Sequence, residues 1–212
     1  NDEDGSILMF LPGEGEIRRV ADRLNQQNTG AVEICPLYGK QTIQQQQKAI
    51  QPSASGQRKL VLATNIAESS LTIEGICIVI DAGLQRSARF NPNSGMQGLH
   101  THRISRASAD QRRGRAGRLQ PGICIRLWPE SEPLIAQTDA EILHADLAPL
   151  RLELARWGSH DLPWLTPPNT GSMAQASDLL VHLEALHEDG SLTRTGQSMA
   201  SLPLHPRLAH ML

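Results

Sequence analysis

The chain has 212 residues, of which 39% are hydrophobic and 3% aromatic, and its formal net charge is −2 at pH 7. Near-neutral charge and scarce aromatic rings argue against a domain that binds nucleic acid through overall positive charge or a base-stacking surface. No apolar run is long enough to span a membrane, and the first residues, NDEDGSILMF, lack the basic and apolar regions of a signal peptide. Three widely spaced cysteines exclude a disulfide framework, so we expect reduced thiols at Cys35, Cys77 and Cys124 and a cytoplasmic protein with no membrane partner.

Apolar runs alternate with helical patterns as far as Trp128. The residues at 14–27 and 41–52 have helical spacing. The apolar runs before, between and after them predict strands, the first of them buried: SILMFLP (6–12), AVEICPLYG (31–39), RKLVLAT (58–64), GICIVIDAG (75–83) and GICIRLW (122–128). Apolar strands without alternation, separated by helices, are typical of a mostly parallel sheet covered on both faces. The sequence therefore predicts an α/β doubly wound domain.

A turn-forming cluster at 91–95, NPNSG, lies between the segments RSARF and QGLHTHRI. This pattern predicts a projecting β-hairpin. His100 and His102 lie two residues apart on it, but no further ligand of the right type is nearby, so we expect no metal site there.

After Trp128 the pattern becomes mainly helical. We predict a helix over 139–158 with a break at Pro149, a proline-rich connector, a helix over 173–190 and then a short wing followed by a turn. Helix, helix and wing in this order suggest a small winged-helix domain. We therefore expect one domain over 1–138 and another over 139–212, where the last residues look like the start of a further helix.

Residues 111–118 read QRRGRAGR and contain four arginines without a carboxylate among them. A guanidinium offers five donors in a rigid fork and stays protonated, which suits it to stabilise charge on a transferring phosphoryl group. On a helical turn Arg115 and Arg118 would share a face, and Gln111 would lie four residues before Arg115 on the same side, where it could orient an attacking water. A solvated, charged turn is the alternative interpretation.

Three segments in sequence, ILMFLPGEGEI, RKLVLATNIAESSLTIEGICIVIDAG and SRASADQRRGRAGRLQPGICIRLW, resemble motifs IV, V and VI of DEAH-box and related superfamily 2 RNA helicases. The resemblance extends from Ser6 to Leu212, and LRLELARWG and LPLHPRLAHML look most like the bacterial HrpB-type helicases. It implies a second RecA-like domain over 1–138 and a winged-helix domain with the start of a further helical domain over 139–212. The implied function is that of the C-terminal motor half of an ATP-dependent RNA helicase.

The resemblance also implies roles for the arginine cluster. Gln111, Arg115 and Arg118 would face the γ-phosphate of ATP, whereas Arg112 and Arg113 would be structural or ion-paired. The hairpin looks like the one that relatives use as a wedge between nucleic-acid strands.

Further positions match the nucleotide and RNA contacts of the family. Glu74 matches an acidic residue that reaches the ribose of the nucleotide, and Ile50 aligns with a phenylalanine that stacks on the base in eukaryotic relatives. Because an aliphatic side chain gives no aromatic stacking, we expect weak discrimination among nucleoside triphosphates. Thr64 and Asn65 resemble positions that contact the RNA backbone, and Gly39 a loop glycine whose amide approaches an RNA phosphate. A helix N-cap is the alternative role for Thr64.

The sequence contains neither GxxxxGKS nor GxxxxGKT and no Asp-Glu-x-His box. In this family both belong to the first RecA-like domain. The resemblance therefore implies that ATP and Mg²⁺ are bound mainly by that domain, which acts as a partner of this chain, and that this chain alone does not hydrolyse ATP. The implied nucleic-acid partner is single-stranded RNA or an RNA duplex with an overhang, bound by a monomer.

Two other functions are compatible with parts of the sequence. One is a DNA translocase of the same superfamily, because contacts to the RNA 2′-hydroxyl are not visible in one sequence. The other is a non-enzymatic adaptor that reads DNA through the winged helix. Its candidate recognition helix, QASDLLVHLEALHE, argues against this because it carries Asp178, Glu184 and Glu188 and neither lysine nor arginine, so DNA phosphates would repel it.

Overall fold

Strands and helices alternate through the first part of the computed structural model, which describes residues 5–27, 32–52, 57–69, 71–116, 121–159 and 162–212. The strands are β1 (Ser6–Phe10), β2 (Val32–Leu37), β3 (Arg58–Ala63), β4 (Ile76–Asp81), β5 (Leu84–Asn91), β6 (Met96–Arg103) and β7 (Ile123–Arg126). The helices are α1 (Glu14–Gln26), α2 (Ile43–Ile50), α3 (Arg106–Arg113), α4 (Ala148–Trp157), α5 (Thr170–His182), α6 (Arg194–Ala200) and α7 (Pro206–Ala209), with 3₁₀ turns at Asn65–Ala67 and Glu141–Leu143.

Five of the strands form a parallel sheet in the order β2-β3-β1-β4-β7. Successive residues of a strand face opposite sides. The central strands β1 and β3 are covered by packed side chains on both sides, whereas Ile123 and Ile125 of the edge strand β7 are exposed. On one side Phe10 and Val61 pack with Ala49 of α2, and on the other side Leu62 packs with Ile17 of α1. The predicted α/β doubly wound sheet is confirmed, and each observed strand lies within its predicted apolar run.

The parallel arrangement gives the sheet two distinct edges. Phe10, the last residue of β1, is level with Ala63 and Asp81, the last residues of its two neighbours. We call the side on which the strands end the carboxyl edge and the side on which they begin the amino edge. Polar residues just after a strand therefore collect at the carboxyl edge, and residues just before a strand collect at the amino edge.

The predicted hairpin is present as the two-stranded sheet of β5 and β6. Gly95 ends its turn with φ 63°, a left-handed conformation that glycine adopts without a steric penalty. The tip does not project freely, because the N–H of Phe90 donates to the carbonyl oxygen of His144 at 3.0 Å.

The chain divides into two compact units. Unit 1 contains Asn1–Ser87 and Leu99–Thr138, and therefore the parallel sheet. Unit 2 contains Ala88–Gly98 and Asp139–Leu212, and therefore the hairpin tip and the C-terminal helices.

Two helix boundaries in unit 2 differ from those predicted. The helix predicted from 139 begins only at Ala148, and Pro149 lies in the first turn of α4 instead of breaking a helix, since that position needs no N–H donor. Gly158 ends α4 with φ 68°, as expected of a C-terminal glycine. The helix predicted over 173–190 is α5, which Asn169 caps through hydrogen bonds to two backbone N–H groups and which ends at His182.

The wing is short and is followed by helix. Leu186 and Leu192 form an antiparallel bridge, and α6 occupies residues that the sequence had assigned to a turn. Thr193 starts α6 because its hydroxyl accepts a hydrogen bond from the N–H of Gly196 at 2.9 Å. In the part of the chain that the structure describes, no helix combines the length and apolar character needed to cross a membrane.

Candidate functional site

The arginine cluster begins on α3 and continues past the end of that helix. The hydroxyl of Ser105 caps α3 by accepting a hydrogen bond from the N–H of Ser108 at 3.2 Å, and Gly114 ends the helix. The N–H of Arg115 then donates to the carbonyl of Arg112 at 3.1 Å, which is the tighter 3₁₀ spacing. The assumption that Gln111 and Arg115 share a helical face is therefore wrong, because the helix stops between them. Gln111 is exposed, whereas Arg115 is 7% exposed.

Arg115 holds the segment that follows β3. Its Nε donates to the carbonyl oxygen of Glu68 at 3.0 Å, and its Nη1 donates to that of Leu71 at 2.6 Å. Its Nη2 also donates to the carbonyl oxygen of Glu68. These acceptors are neutral backbone oxygens, so in this conformation the guanidinium serves as a clamp on the backbone.

Among the described residues, Arg112 has the largest fully buried side chain, with 1% of its surface exposed. Its Nε donates to Glu68 Oε2 at 2.9 Å, and its Nη1 donates to Asp81 Oδ1 at 3.0 Å. Its guanidinium carbon lies 4.8 Å from the centre of the Phe10 ring, within cation–π range. Two carboxylates and an aromatic face thus compensate a charge that has left water.

Arg113 points the other way on the same helix. Its side chain is 62% exposed, and its Nη2 lies 3.5 Å from Asp110 Oδ1. Arg118 lies outside the described residues.

The expected RNA-contact residues lie at the carboxyl edge. The N–H of Thr64 donates to the carbonyl of Leu37 at 3.2 Å, which joins the ends of β3 and β2. Thr64 occupies the N-cap position of the turn Asn65–Ala67, but its side chain makes no capping hydrogen bond. Asn65 is exposed, and a Cβ added to Gly39 would meet no atom within 4 Å. The topology thus brings these three residues to one open edge.

The expected nucleotide-contact residues Glu74 and Ile50 lie at the opposite, amino edge. Glu74 is exposed two residues before β4, next to Gly75, whose carbonyl accepts a hydrogen bond from the N–H of Ser6 at 2.8 Å. Ile50 is half-buried at the end of α2, and Lys59 near the start of β3 anchors this helix end.

The turn that carries Arg115 also reaches the amino edge. A Cβ added to Gly122, just before β7, would lie 2.1 Å from the carbonyl oxygen of Ala116 and 2.7 Å from that of Cys77. Cys77 is the second residue of β4, so residue 116 lies beside the beginnings of two strands. Arg115, Glu74 and Ile50 are therefore grouped at the amino edge, and Gly39, Thr64 and Asn65 at the carboxyl edge.

The remaining candidate ligands have internal roles. His102 contacts Ser87 Oγ through Nε2 and the carbonyl oxygen of Arg103 through Nδ1, both at 2.9 Å. Among the described residues, no three His, Cys, Asp or Glu side chains converge as metal ligands. None of the three cysteines forms a disulfide bond, and burial raises the pKa of the Cys35 and Cys124 thiols, which keeps them protonated at neutral pH.

Sequence reasoning did not identify the two acids that pair with Arg112. Glu68 lies 44 residues before it and Asp81 lies 31 residues before it, so no local pattern joins them. A usable signal was present at Asp81, because an acid that ends an otherwise apolar strand, as in ICIVID, needs a partner if it is buried.

Comparison with protein families identifies two segments of the chain. The helicase conserved C-terminal domain family matches residues 1–120, which include both groups of site residues. This chain belongs to that family. The winged-helix family described as helicase-associated domain (HA2) matches residues 178–204 of the same chain.

Whole-chain comparisons agree with the family assignment. The chain is 49% identical over 215 residues to the ATP-dependent RNA helicase HrpB of Escherichia coli K12, covering 99% of this chain and 26% of that protein. It is 42% identical over 218 residues to the ATP-dependent RNA helicase HrpA of the same organism, covering 98% of this chain and 17% of that protein. The chain thus spans about a quarter or less of the length of these relatives.

Solved structures share the fold. A crystal structure of the E. coli DEAH/RHA helicase HrpB matches with a TM-score of 0.92 at 48% identity, covering 99% of this chain and 27% of that one. A structure of the E. coli DExH-box NTPase HrpB matches with a TM-score of 0.89 at 48% identity, covering 99% of this chain and 26% of that one. The predicted resemblance to the DEAH-box helicases, and to the HrpB-type helicases among them, is confirmed.

Proposed function

We propose that this chain is the C-terminal motor half of an ATP-dependent RNA helicase, which supplies arginine fingers and RNA-backbone contacts to the complete protein. The observation that carries the proposal is the 49% identity to the ATP-dependent RNA helicase HrpB over 99% of the chain. We propose a second RecA-like domain over 1–138 and, over 139–212, a winged-helix domain followed by the start of a further helical domain.

The nucleotide is bound at the amino edge of the sheet. Arg115 and Arg118 stabilise the negative charge on the γ-phosphoryl group while Gln111 orients the water that attacks it, which releases ADP and phosphate. Glu74 contacts the ribose, and Ile50 packs on the base without stacking. Support comes from the common location of Arg115, Glu74 and Ile50 at this edge.

ATP and Mg²⁺ are bound mainly by a first RecA-like domain, which we propose as the partner of this chain across the nucleotide. Arg115 fits a phosphate group as a fork of donors, but its N–H groups donate to the carbonyls of Glu68 and Leu71 in this conformation. The arginine finger therefore reaches phosphate only after this clamp opens. Alone, the chain does not hydrolyse ATP.

RNA is bound at the carboxyl edge, as a single strand or as a duplex with an overhang. The Thr64 hydroxyl donates to a backbone phosphate, Asn65 contacts the same backbone, and the amide of Gly39 approaches a neighbouring phosphate. Supporting this, the Thr64 side chain makes no capping hydrogen bond and the space around Gly39 is open. The protein acts as a cytoplasmic monomer.

The test is ATP hydrolysis by the full-length protein with Mg²⁺, measured without nucleic acid and with single-stranded RNA, overhang RNA duplex or single-stranded DNA. We expect RNA to raise kcat and DNA to raise it much less, and we expect the 212-residue chain alone to be inactive. Equal stimulation by DNA would favour a DNA translocase. Absence of ATP hydrolysis under every condition, with DNA binding retained, would favour the winged-helix adaptor.

A further inference from the structure

We propose that Arg112 is a positioning residue that couples RNA binding to the state of the Arg115 turn. It does so by fastening that turn to the segment after β3 and to the base of the hairpin. The inference rests on the proposed function, because it assumes RNA at the carboxyl edge and nucleotide at the amino edge.

The segment from Thr64 to Gly75 joins the two edges of the sheet. It leaves the carboxyl edge after β3 and reaches the amino edge before β4. Glu68 lies within this segment, and both arginines bind it. Its carboxylate accepts a hydrogen bond from Arg112 Nε at 2.9 Å, and its carbonyl oxygen accepts one from Arg115 Nε at 3.0 Å. A shift of Thr64 and Asn65 on binding a phosphate therefore changes the position of an anchor that both arginines share.

The same guanidinium fixes the beginning of the hairpin. Arg112 Nη1 donates to Asp81 Oδ1 at 3.0 Å and to the carbonyl oxygen of Leu84, the first residue of β5, at 3.3 Å. Asp81 Oδ1 also accepts from the N–H of Gly83 at 2.9 Å. The turn between β4 and β5 is thus positioned by the residue that holds Glu68.

These contacts require the shape of arginine as well as its charge. Nε and Nη1 point to two acids on different segments, and a lysine ammonium at the end of a flexible chain does not reproduce this fixed fork. The neighbouring Arg113 is a natural control, because it lies on the same helix with 62% of its side chain exposed and an ion pair of 3.5 Å.

The test measures coupling in the full-length protein and in its variants Arg112→Lys, Glu68→Gln and Arg113→Lys. RNA affinity is measured by fluorescence anisotropy with and without a non-hydrolysable ATP analogue, and the ratio of the two Kd values is the coupling factor. For the wild type we expect a factor within the usual range of about 5–150. In Arg112→Lys and Glu68→Gln we expect the factor to approach about 1 while the nucleotide-free RNA Kd stays within about twofold. Arg113→Lys should match the wild type.

A coupling factor that stays at the wild-type value in folded Arg112→Lys and Glu68→Gln overturns the proposal. Parallel losses of RNA affinity with and without analogue also overturn it, because they mean that Arg112 only maintains the fold. Thermal unfolding shows whether each variant folds. If Arg112→Lys does not fold, the coupling factor of Glu68→Gln decides the question. We expect Glu68→Gln to fold because the glutamine amide keeps a hydrogen-bond acceptor for Arg112 at a partly exposed site. Absence of RNA binding and of RNA-stimulated hydrolysis in the wild type would instead contradict the proposed function.

Discussion

At the carboxyl edge of the sheet, Asn65 is exposed and Thr64 makes no side-chain capping bond, whereas at the amino edge Arg115 is 7% exposed and donates to the carbonyls of Glu68 and Leu71. The first group can meet a ligand without giving up an internal bond. Arg115 can meet one only by exchanging its backbone acceptors. The two edges thus differ in the rearrangement that each needs, and the proposed RNA contacts are ready before the proposed catalytic contact is.

The largest effect should come from Arg115. We expect Arg115→Lys in the full-length protein to lower the RNA-stimulated kcat about 10³-fold, as for loss of an arginine finger, because an ammonium lacks the planar fork. Steady-state ATP hydrolysis at saturating RNA measures this, with Arg113→Lys as control. A kcat within tenfold of the wild type would mean that the amino edge is not catalytic.

Removal of Asp81, the fully buried acid that pairs with Arg112, should affect stability next most. We expect Asp81→Ala to lower the free energy of unfolding of unit 1 by about 3–5 kcal/mol, because it leaves the Arg112 charge buried with one partner fewer. Urea denaturation checks this. The control is Asp110→Ala, whose pairs with Arg113 and Arg126 are exposed and should contribute at most about 1 kcal/mol. Equal losses in the two variants would contradict a buried ion-pair network.

Alanine substitutions at the two glycines that flank β4 compare the packing of the two edges directly. Gly75 and Gly83 have φ of 74° and 71°, so alanine at either should cost about 1–2 kcal/mol of unfolding free energy. A Cβ at Gly75 meets nothing within 4 Å, whereas one at Gly83 lies 2.6 Å from Trp128 Cε3. Gly83→Ala should therefore be the more destabilising by about 1–3 kcal/mol in urea denaturation. The reverse order would mean that the carboxyl edge is less tightly packed than described.

At the carboxyl edge, Thr64→Val should separate binding from stability. The hydroxyl makes no capping bond, so we expect the unfolding free energy to change by less than about 0.5 kcal/mol. RNA Kd, measured by anisotropy, should rise about tenfold through loss of one hydrogen bond to a charged phosphate. Thr42→Val is the converse control, because the Thr42 hydroxyl caps α2 and its loss should cost about 1 kcal/mol of stability without changing RNA affinity.

The smallest effect is expected for base recognition at Ile50. Ile50→Phe should raise the preference for ATP over UTP by up to about tenfold, since a stacked aromatic pair contributes about 0.5–1.5 kcal/mol beyond area burial and the larger purine gains more of it than a pyrimidine. Competition between the two nucleotides in the hydrolysis assay measures this preference. A wild-type protein that already discriminates strongly would show that Ile50 does not lie against the base.

The sheet was predictable because its central strands are covered on both faces and read as continuous apolar runs, such as RKLVLAT for β3. β7 has the same apolar pattern in GICIRLW, but it lies at the edge of the sheet and its isoleucines are exposed. The ends of the helices in unit 2 were less predictable. A proline can either break a helix or lie in its first turn, and Pro149 lies in the first turn of α4. α5 stops at His182 although apolar spacing continues, since Glu184 takes φ 53° and the chain turns toward the Leu186–Leu192 bridge. Residue types alone do not specify that reversal.

The location of the site residues was predictable where they directly follow strands. It was not predictable where it depends on partners that are distant in sequence. A parallel sheet forces Gly39 and Thr64 to one edge, so their grouping follows from strand order. The burial of Arg112 depends on Glu68 and Asp81, which only the folded chain brings together. Similarly, four arginines in a row of eight residues look equivalent in sequence, yet Arg112 is buried and Arg113 is exposed because α3 presents opposite faces.

The shared hairpin has a consequence for cutting this protein into parts. The polypeptide enters unit 2 at Ala88, returns to unit 1 at Leu99 and enters unit 2 again at Asp139. A fragment that stops at Thr138 would keep the hairpin tip but lose His144, the acceptor for the N–H of Phe90. A fragment that starts at Asp139 would lack the tip altogether. No single cut in the chain therefore yields both units intact. An exchange of unit 2 between related proteins would have to transfer the short stretch Ala88–Gly98 together with Asp139–Leu212.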